Sequence, residues 1–170
     1  MDIFMEKLVT RKKGFKDQLI TIGIILGALI LIMLSLSIKV IVELGIGPFL
    51  FLGLGYLAFR LVSARNVEYE YIVTNGELDI DKIIAKRKRK RIFSASCKEF
   101  DILSRVKSDN FNHSVQSITN RIDASSSMDS PDAFFATLNY KGQKTLVIFE
   151  PDERMLNNFK FFIPRKIFLN

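Results

Sequence analysis

The chain has 170 residues, one cysteine, one histidine and a formal net charge of +7, and 48% of its residues are apolar. A lone cysteine excludes an intrachain disulfide, and one histidine with one cysteine cannot supply a four-ligand Cys/His zinc site. The length leaves room for about one domain, yet the apolar residues crowd into the first third of the chain.

Residues 1–18 form a basic segment carrying Lys7, Arg11, Lys12, Lys13 and Lys16. Residues 19–38, LITIGIILGALILIMLSLSI, then run without a charge. At a rise of 1.5 Å per residue this stretch spans a hydrocarbon core of about 30 Å. Thirteen of its residues are Leu or Ile, each favouring insertion by roughly 0.3–0.6 kcal/mol, so the spacing predicts a transmembrane helix. After the short break KVIVE, residues 44–62 read as a second span, with Pro48 in its first turn and Arg60 near its end, where a long side chain reaches the headgroups. So short a connection makes the two helices antiparallel neighbours. Gly23 and Gly27 form a G-x-x-x-G pair, which serves either packing within the hairpin or association with a second copy or a partner helix.

Basic residues stay on the cytoplasmic side of a bilayer. Those before the first span, together with Arg60 and Arg65 after the second, outweigh the lone Lys39 beside Glu43 in the connection. Both termini are therefore expected in the cytoplasm, with the multi-pass anchor at 19–64 and a cytoplasmic domain at 65–170.

That domain opens with VEYEYIVTNGELDIDKII, in which Asn75-Gly76 is a strong two-residue hairpin signal. Pairing across it sets Val73 opposite Leu78, Tyr71 opposite Ile80 and Val67 opposite Ile84 on a core face. The other face collects Glu68, Glu70, Glu77, Asp79 and Asp81. Glu70 falls directly opposite Asp81, an arrangement that needs a cation nearby. Flat strands rarely wrap the six to eight oxygens that calcium takes, so the cation is expected from the protein.

A run of six basic residues follows: Lys86, Arg87, Lys88, Arg89, Lys90 and Arg91. As a strand it sends the lysines to one side and the arginines to the other. Two readings stand: the run neutralises the acidic face of the hairpin, or it contacts anionic lipid. The hairpin geometry gives the second reading weight, since eight residues out and eight back return Lys86 to the level of Arg65. Nucleic acid is disfavoured, because the 17 Lys and Arg after Arg65 face 14 Asp and Glu and the nearby aromatics read as sheet core.

FDILSRV (100–106) alternates like a strand, 107–132 is rich in Ser, Asn and Asp and reads as a long loop, and AFFATLNY and KTLVIFE flank Lys141-Gly142 as a second hairpin. The last element is helical: Asp152 and Glu153 occupy the first turn, Met155, Leu156, Phe159, Phe162 and Ile163 share a face, and Pro164 stops it. Strands followed by one amphipathic helix give an α+β domain in which the helix covers an antiparallel sheet.

The order of a two-span hairpin, VEYEYIVTNGELDI, a basic strand and TLVIFEPDERMLNNFKFFIPRKIF, with the opening MDIFMEKLVTRKK, resembles an uncharacterised family of small bacterial membrane proteins with a PH-like domain. The resemblance implies a fold that binds lipid headgroups, peptides or other proteins, and no catalytic chemistry. The residues agree. Ser94, Ser96 and Cys97 have no base or orienting carboxylate in a recognisable pattern, and neither a P-loop nor a G-x-G-x-x-G fingerprint occurs. No metal, no cofactor and no enzyme activity are expected. The reading is a membrane-anchored binding or scaffold module with possible protein partners or self-association, and its alternative is an accessory subunit of a larger membrane complex or transporter.

Overall fold

The computed structural model describes residues 4–168; the two termini, expected on one side of the membrane, lie outside them. The chain divides into two units, one made of residues 1–12 with 67–170 and the other of residues 13–66.

The second unit is helical. Helix α1 (Phe15–Ser37) begins four residues before the predicted span and is long and apolar enough to cross a membrane. Most of its Leu and Ile side chains stand exposed, unlike those of a soluble core helix. The predicted break contains a short helix, α2 (Lys39–Glu43). Gly45, at φ +68°, turns the chain into α3 (Gly47–Ser63), which carries Pro48 in its first turn as expected. At 17 residues α3 is shorter than the predicted 44–62, because the left-handed turn at Gly45 delays its start. Helices α1 and α3 pack together, and Arg65 donates to Asp17 of the first turn of α1.

The first unit begins with an element the sequence reading lacks. Residues 4–10, expected in a basic segment, form strand β1 (Phe4–Thr10), which pairs antiparallel with β2 (Val67–Thr74). The domain therefore does not start at residue 65. It starts before α1 and takes the helices as an insertion between two neighbouring strands. Met5 and Val9 bury against the core, worth about 1.5–3 kcal/mol each when a side chain of this size is fully buried. β3 (Glu77–Ile84) and β4 (Lys88–Ser96) complete a four-stranded sheet in the order β1-β2-β3-β4. The β2–β3 register is the predicted one, with Val73 on Leu78, Tyr71 on Ile80, Glu70 on Asp81 and Val67 on Ile84. Asn75 and Gly76 supply the two positive φ angles of the turn, 52° and 83°.

The second sheet is built from β5 (Phe100–Arg105), β6 (Asn120–Asp123), β7 (Phe134–Tyr140), β8 (Gln143–Phe149) and β9 (Ile167–Phe168), in the order β6-β8-β7-β5-β9. The predicted long loop is only partly one: it holds α4 (His113–Gln116) and the edge strand β6. Its structure follows from β7 and β8, which are apolar on both faces. Phe135, Leu146 and Ile148 point away from the main core, and Phe111, Val115 and Ile118 of the intervening segment cover them.

The main core joins Tyr71, Ile80 and Phe93 of the first sheet to Leu103, Phe134 and Phe149 of the second. Tyr71 also ties the layers by hydrogen bonds: its hydroxyl donates to the Ala124 carbonyl at 2.6 Å and accepts from Glu150 N–H at 3.2 Å. Helix α5 (Glu153–Phe162) closes the sandwich. Asp152 caps it by accepting from Met155 N–H, Met155 and Phe159 are fully buried, and Leu156 and Phe162 pack at the margin.

Gly76 is fixed by two constraints at once. A Cβ there would lie 2.7 Å from Phe162 Cδ2 and 3.1 Å from Cys97 Sγ, at a φ that L side chains resist. Gly76→Ala is expected to destabilise the domain by about 2 kcal/mol or more, read as a drop of several degrees in the thermal midpoint by circular dichroism.

Candidate functional site

The basic run is split between a turn and a strand. Ala85 and Lys86 adopt φ of 53° and 56°, and Arg87 N–H donates to the Ile84 carbonyl at 3.1 Å, so the first residues of the run form the β3–β4 turn. Lys88 to Arg91 belong to β4. The predicted alternation of lysines and arginines holds there and gives way at the turn, where β3 ends opposite the start of β2.

Within β4 the arginines meet the acidic face. Arg89 donates to Glu70 at 2.8 Å, and Arg91 reaches Asp81 at 2.8 Å and Asp79 at 2.7 Å. A bulge makes this possible. Arg91 and Phe93 would share a face in a regular strand, but Ile80 pairs with Phe93 while Asp81 pairs with Arg91, leaving Ile92 as the extra residue. Phe93 thus enters the core as Arg91 turns to the carboxylates. The cations that the Glu70–Asp81 juxtaposition requires come from the neighbouring strand.

Glu70 remains the costly member of this network. Its side chain is 6% exposed, and one oxygen takes Arg89 while Oε2 is buried without a partner. Burial raises its pKa above the ordinary carboxylate value, Arg89 opposes that shift, and Glu6 and Asp81 add to it. Arg91, beside Asp81 and Asp79, has its pKa raised, so it stays charged throughout.

The other cations are unspent. Among the described residues, Lys82, Lys86, Arg87, Lys88 and Lys90 form no ion pair. Lys82 and Lys90 sit directly opposite each other across the β3–β4 ladder, a like-charge pair that costs stability. Arg87 and Lys86 help line a recess on the acidic face with Leu8, Glu68, Glu70, Ile83 and Arg89. The whole group lies at one end of the sheet, where Thr10 pairs with Glu68, Arg11 N–H donates to the Val67 carbonyl at 3.0 Å, and Val67 pairs with Ile84. This is the end at which the chain leaves for the helices and returns from them.

The remaining candidates fall elsewhere. Gly23 and Gly27 have nothing within 4 Å of where a Cβ would stand, so they do not mediate packing within the hairpin; the close approach is at Gly47, where an added Cβ would lie 3.4 Å from Leu36 Cδ2. Cys97 is buried and its thiol is pushed up to about 11 by desolvation, which keeps it protonated and inert at neutral pH. Ser96 caps the turn Cys97–Glu99, accepting from Lys98 N–H. No group of three His, Cys, Asp or Glu side chains among the described residues is arranged to hold a metal ion. Sequence reasoning missed Lys82 and Leu8: extending the hairpin register into β4 finds Lys82 opposite Lys90, but Leu8 has no signal without knowledge that β1 exists.

The chain is a two-sheet sandwich closed by a C-terminal helix, with polar groups gathered at one end of its first sheet. The chain belongs to the bacterial PH-like domain family DUF6106, whose model matches residues 1–169, helices included. No curated protein and no solved structure matches it.

Two measurements probe the electrostatics and the turn. Because the folded-state pKa of Glu70 is raised, its contribution to stability is fully present below the unfolded value and is lost as pH rises through the folded one. Acidification from neutral toward the ordinary Glu range should therefore stabilise the domain in proportion to this group. Glu70→Gln should remove that part of the pH dependence in denaturant titrations. Ala85→Asn places a residue tolerant of left-handed backbone at φ 53° and should raise stability by about 0.5–1 kcal/mol, with no change of charge; an unchanged midpoint would show that the turn carries no strain.

Proposed function

We propose that this chain is a membrane-anchored binding module in which α1 and α3 both cross the bilayer, both termini are cytoplasmic, and the β3–β4 tip contacts anionic headgroups. The observation that carries the reading is the set of unpaired cations, Lys82, Lys86, Arg87, Lys88 and Lys90, at the sheet end joined to the helices. A basic residue at an anionic surface contributes roughly 1 kcal/mol, within a Debye length of about 8–10 Å. Anchoring holds the tip at an effective concentration on the order of millimolar, so weak contacts suffice. Membership in a PH-like family supports a binding or scaffold role.

A second reading, an accessory subunit docked to other membrane helices, draws on the open surface over Gly23 and Gly27. Crosslinking from residues beside these glycines distinguishes it by capturing a helix of defined identity.

The test uses the full-length protein in lipid nanodiscs. Amide exchange at residues 85–90 should slow when a third of a neutral glycolipid matrix, which carries no ammonium group, is replaced by phosphatidylglycerol, and the effect should vanish in a variant with Lys86, Lys88 and Lys90 all changed to Gln. Identical exchange in neutral and anionic discs would sink the lipid reading. Reporter fusions at the two termini test the topology independently.

A further inference from the structure

The recess beside the tip does not match a simple anion site. Its lining of Leu8, Glu68, Glu70, Ile83, Lys86, Arg87 and Arg89 carries both signs of charge, and only part of that charge is paired internally. Arg89 is committed to Glu70. Lys86 and Arg87 have no carboxylate, and Glu68 has no cation, among the described residues. Glu70, its side chain 6% exposed, is engaged by Arg89 and lies beside Glu6.

An isolated phosphate drawn to Lys86 and Arg87 would meet the uncompensated charge of Glu68. A bare ammonium would meet the two cations. A ligand that joins the two charges a few ångströms apart answers both, and the apolar surface of Leu8, 53% exposed, with Ile83 beside it, suits the methylene groups between them.

We infer that this recess recognises an ammonium-bearing phospholipid headgroup, with its phosphate toward Lys86 and Arg87 and its ammonium toward Glu68. Phosphatidylethanolamine and phosphatidylserine share this chemistry; phosphatidylglycerol has the phosphate alone. The inference rests on the membrane-contact reading above and adds a selectivity that charge density by itself does not give. Glu70 belongs to the same lining and is held in place by Arg89.

Native mass spectrometry of the full-length protein titrated with short-chain phosphatidylethanolamine, phosphatidylserine and phosphatidylglycerol tests it. Lipid on the helices is common to every variant, so the comparison is between variants. The unmodified chain should retain the two ammonium lipids roughly three- to fivefold better than phosphatidylglycerol, the range of an exposed ion pair. Glu68→Gln should abolish that preference and leave phosphatidylglycerol retention equal or higher. Equal retention of all three lipids by the unmodified chain, or a preference that survives Glu68→Gln, overturns the inference and leaves general attraction to anionic lipid standing. Changing Lys86 and Arg87 together to Gln should lower retention of all three, and unaltered phosphatidylglycerol retention in that double variant would overturn the contact reading and the selectivity with it.

Discussion

The ladder between β1 and β2 is the constraint on which the rest of this structure depends. The two strands are hydrogen-bonded neighbours, yet residues 11–66 lie between them in the chain. Whatever occupies that interval must return the chain to the place it left. A pair of packed antiparallel helices does so, and the hydrogen bond from Arg11 N–H to the Val67 carbonyl closes the loop at its base. Without β1, the β2 edge and the core surface that Met5 and Val9 cover would be open to water.

The same constraint fixes where the basic residues go. Once β2 starts beside the end of β1, the tight turn at Asn75-Gly76 brings β3 back to that level, and the next turn falls at Ala85 and Lys86. Residues beyond it divide by parity and by the bulge at Ile92. Arg89 and Arg91 settle the carboxylates of β2 and β3, while Lys88 and Lys90 form no ion pair among the described residues. Arginine suits the first task because its planar fork satisfies two acceptors, as Arg91 does with Asp79 and Asp81.

Legibility followed the range of the interactions. Strand alternation and Asn-Gly chemistry are local, so the β2–β3 register, the second hairpin and the buried stripe of α5 could be read from the residues. The acidic face, too, announced its need for cations, though not which of the six would answer. β1 was invisible because FMEKLVT is short, mixes charge with apolar residues and finds its partner only beyond the helices. β6 was hidden for the same reason: it is four residues long and pairs in parallel with β8 from a Ser-rich stretch. The open surface over Gly23 and Gly27 shows the limit of motif spacing, since spacing says that close approach is possible and not what approaches.

The placement of the helices inside a β ladder also orders events in time. Among the described residues, β1 precedes the helices in the chain, and its partner β2 follows them. An open loop of that length would carry a closure entropy that grows as the logarithm of its residue number. A preformed helical pair, its ends tied by Asp17 and Arg65, replaces that long loop with two short connections, Arg11–Gly14 and Ala64–Asn66. Pairing of β1 with β2 is thus favoured once the helices have assembled, whereas the β2–β3 and β3–β4 ladders close through short local turns.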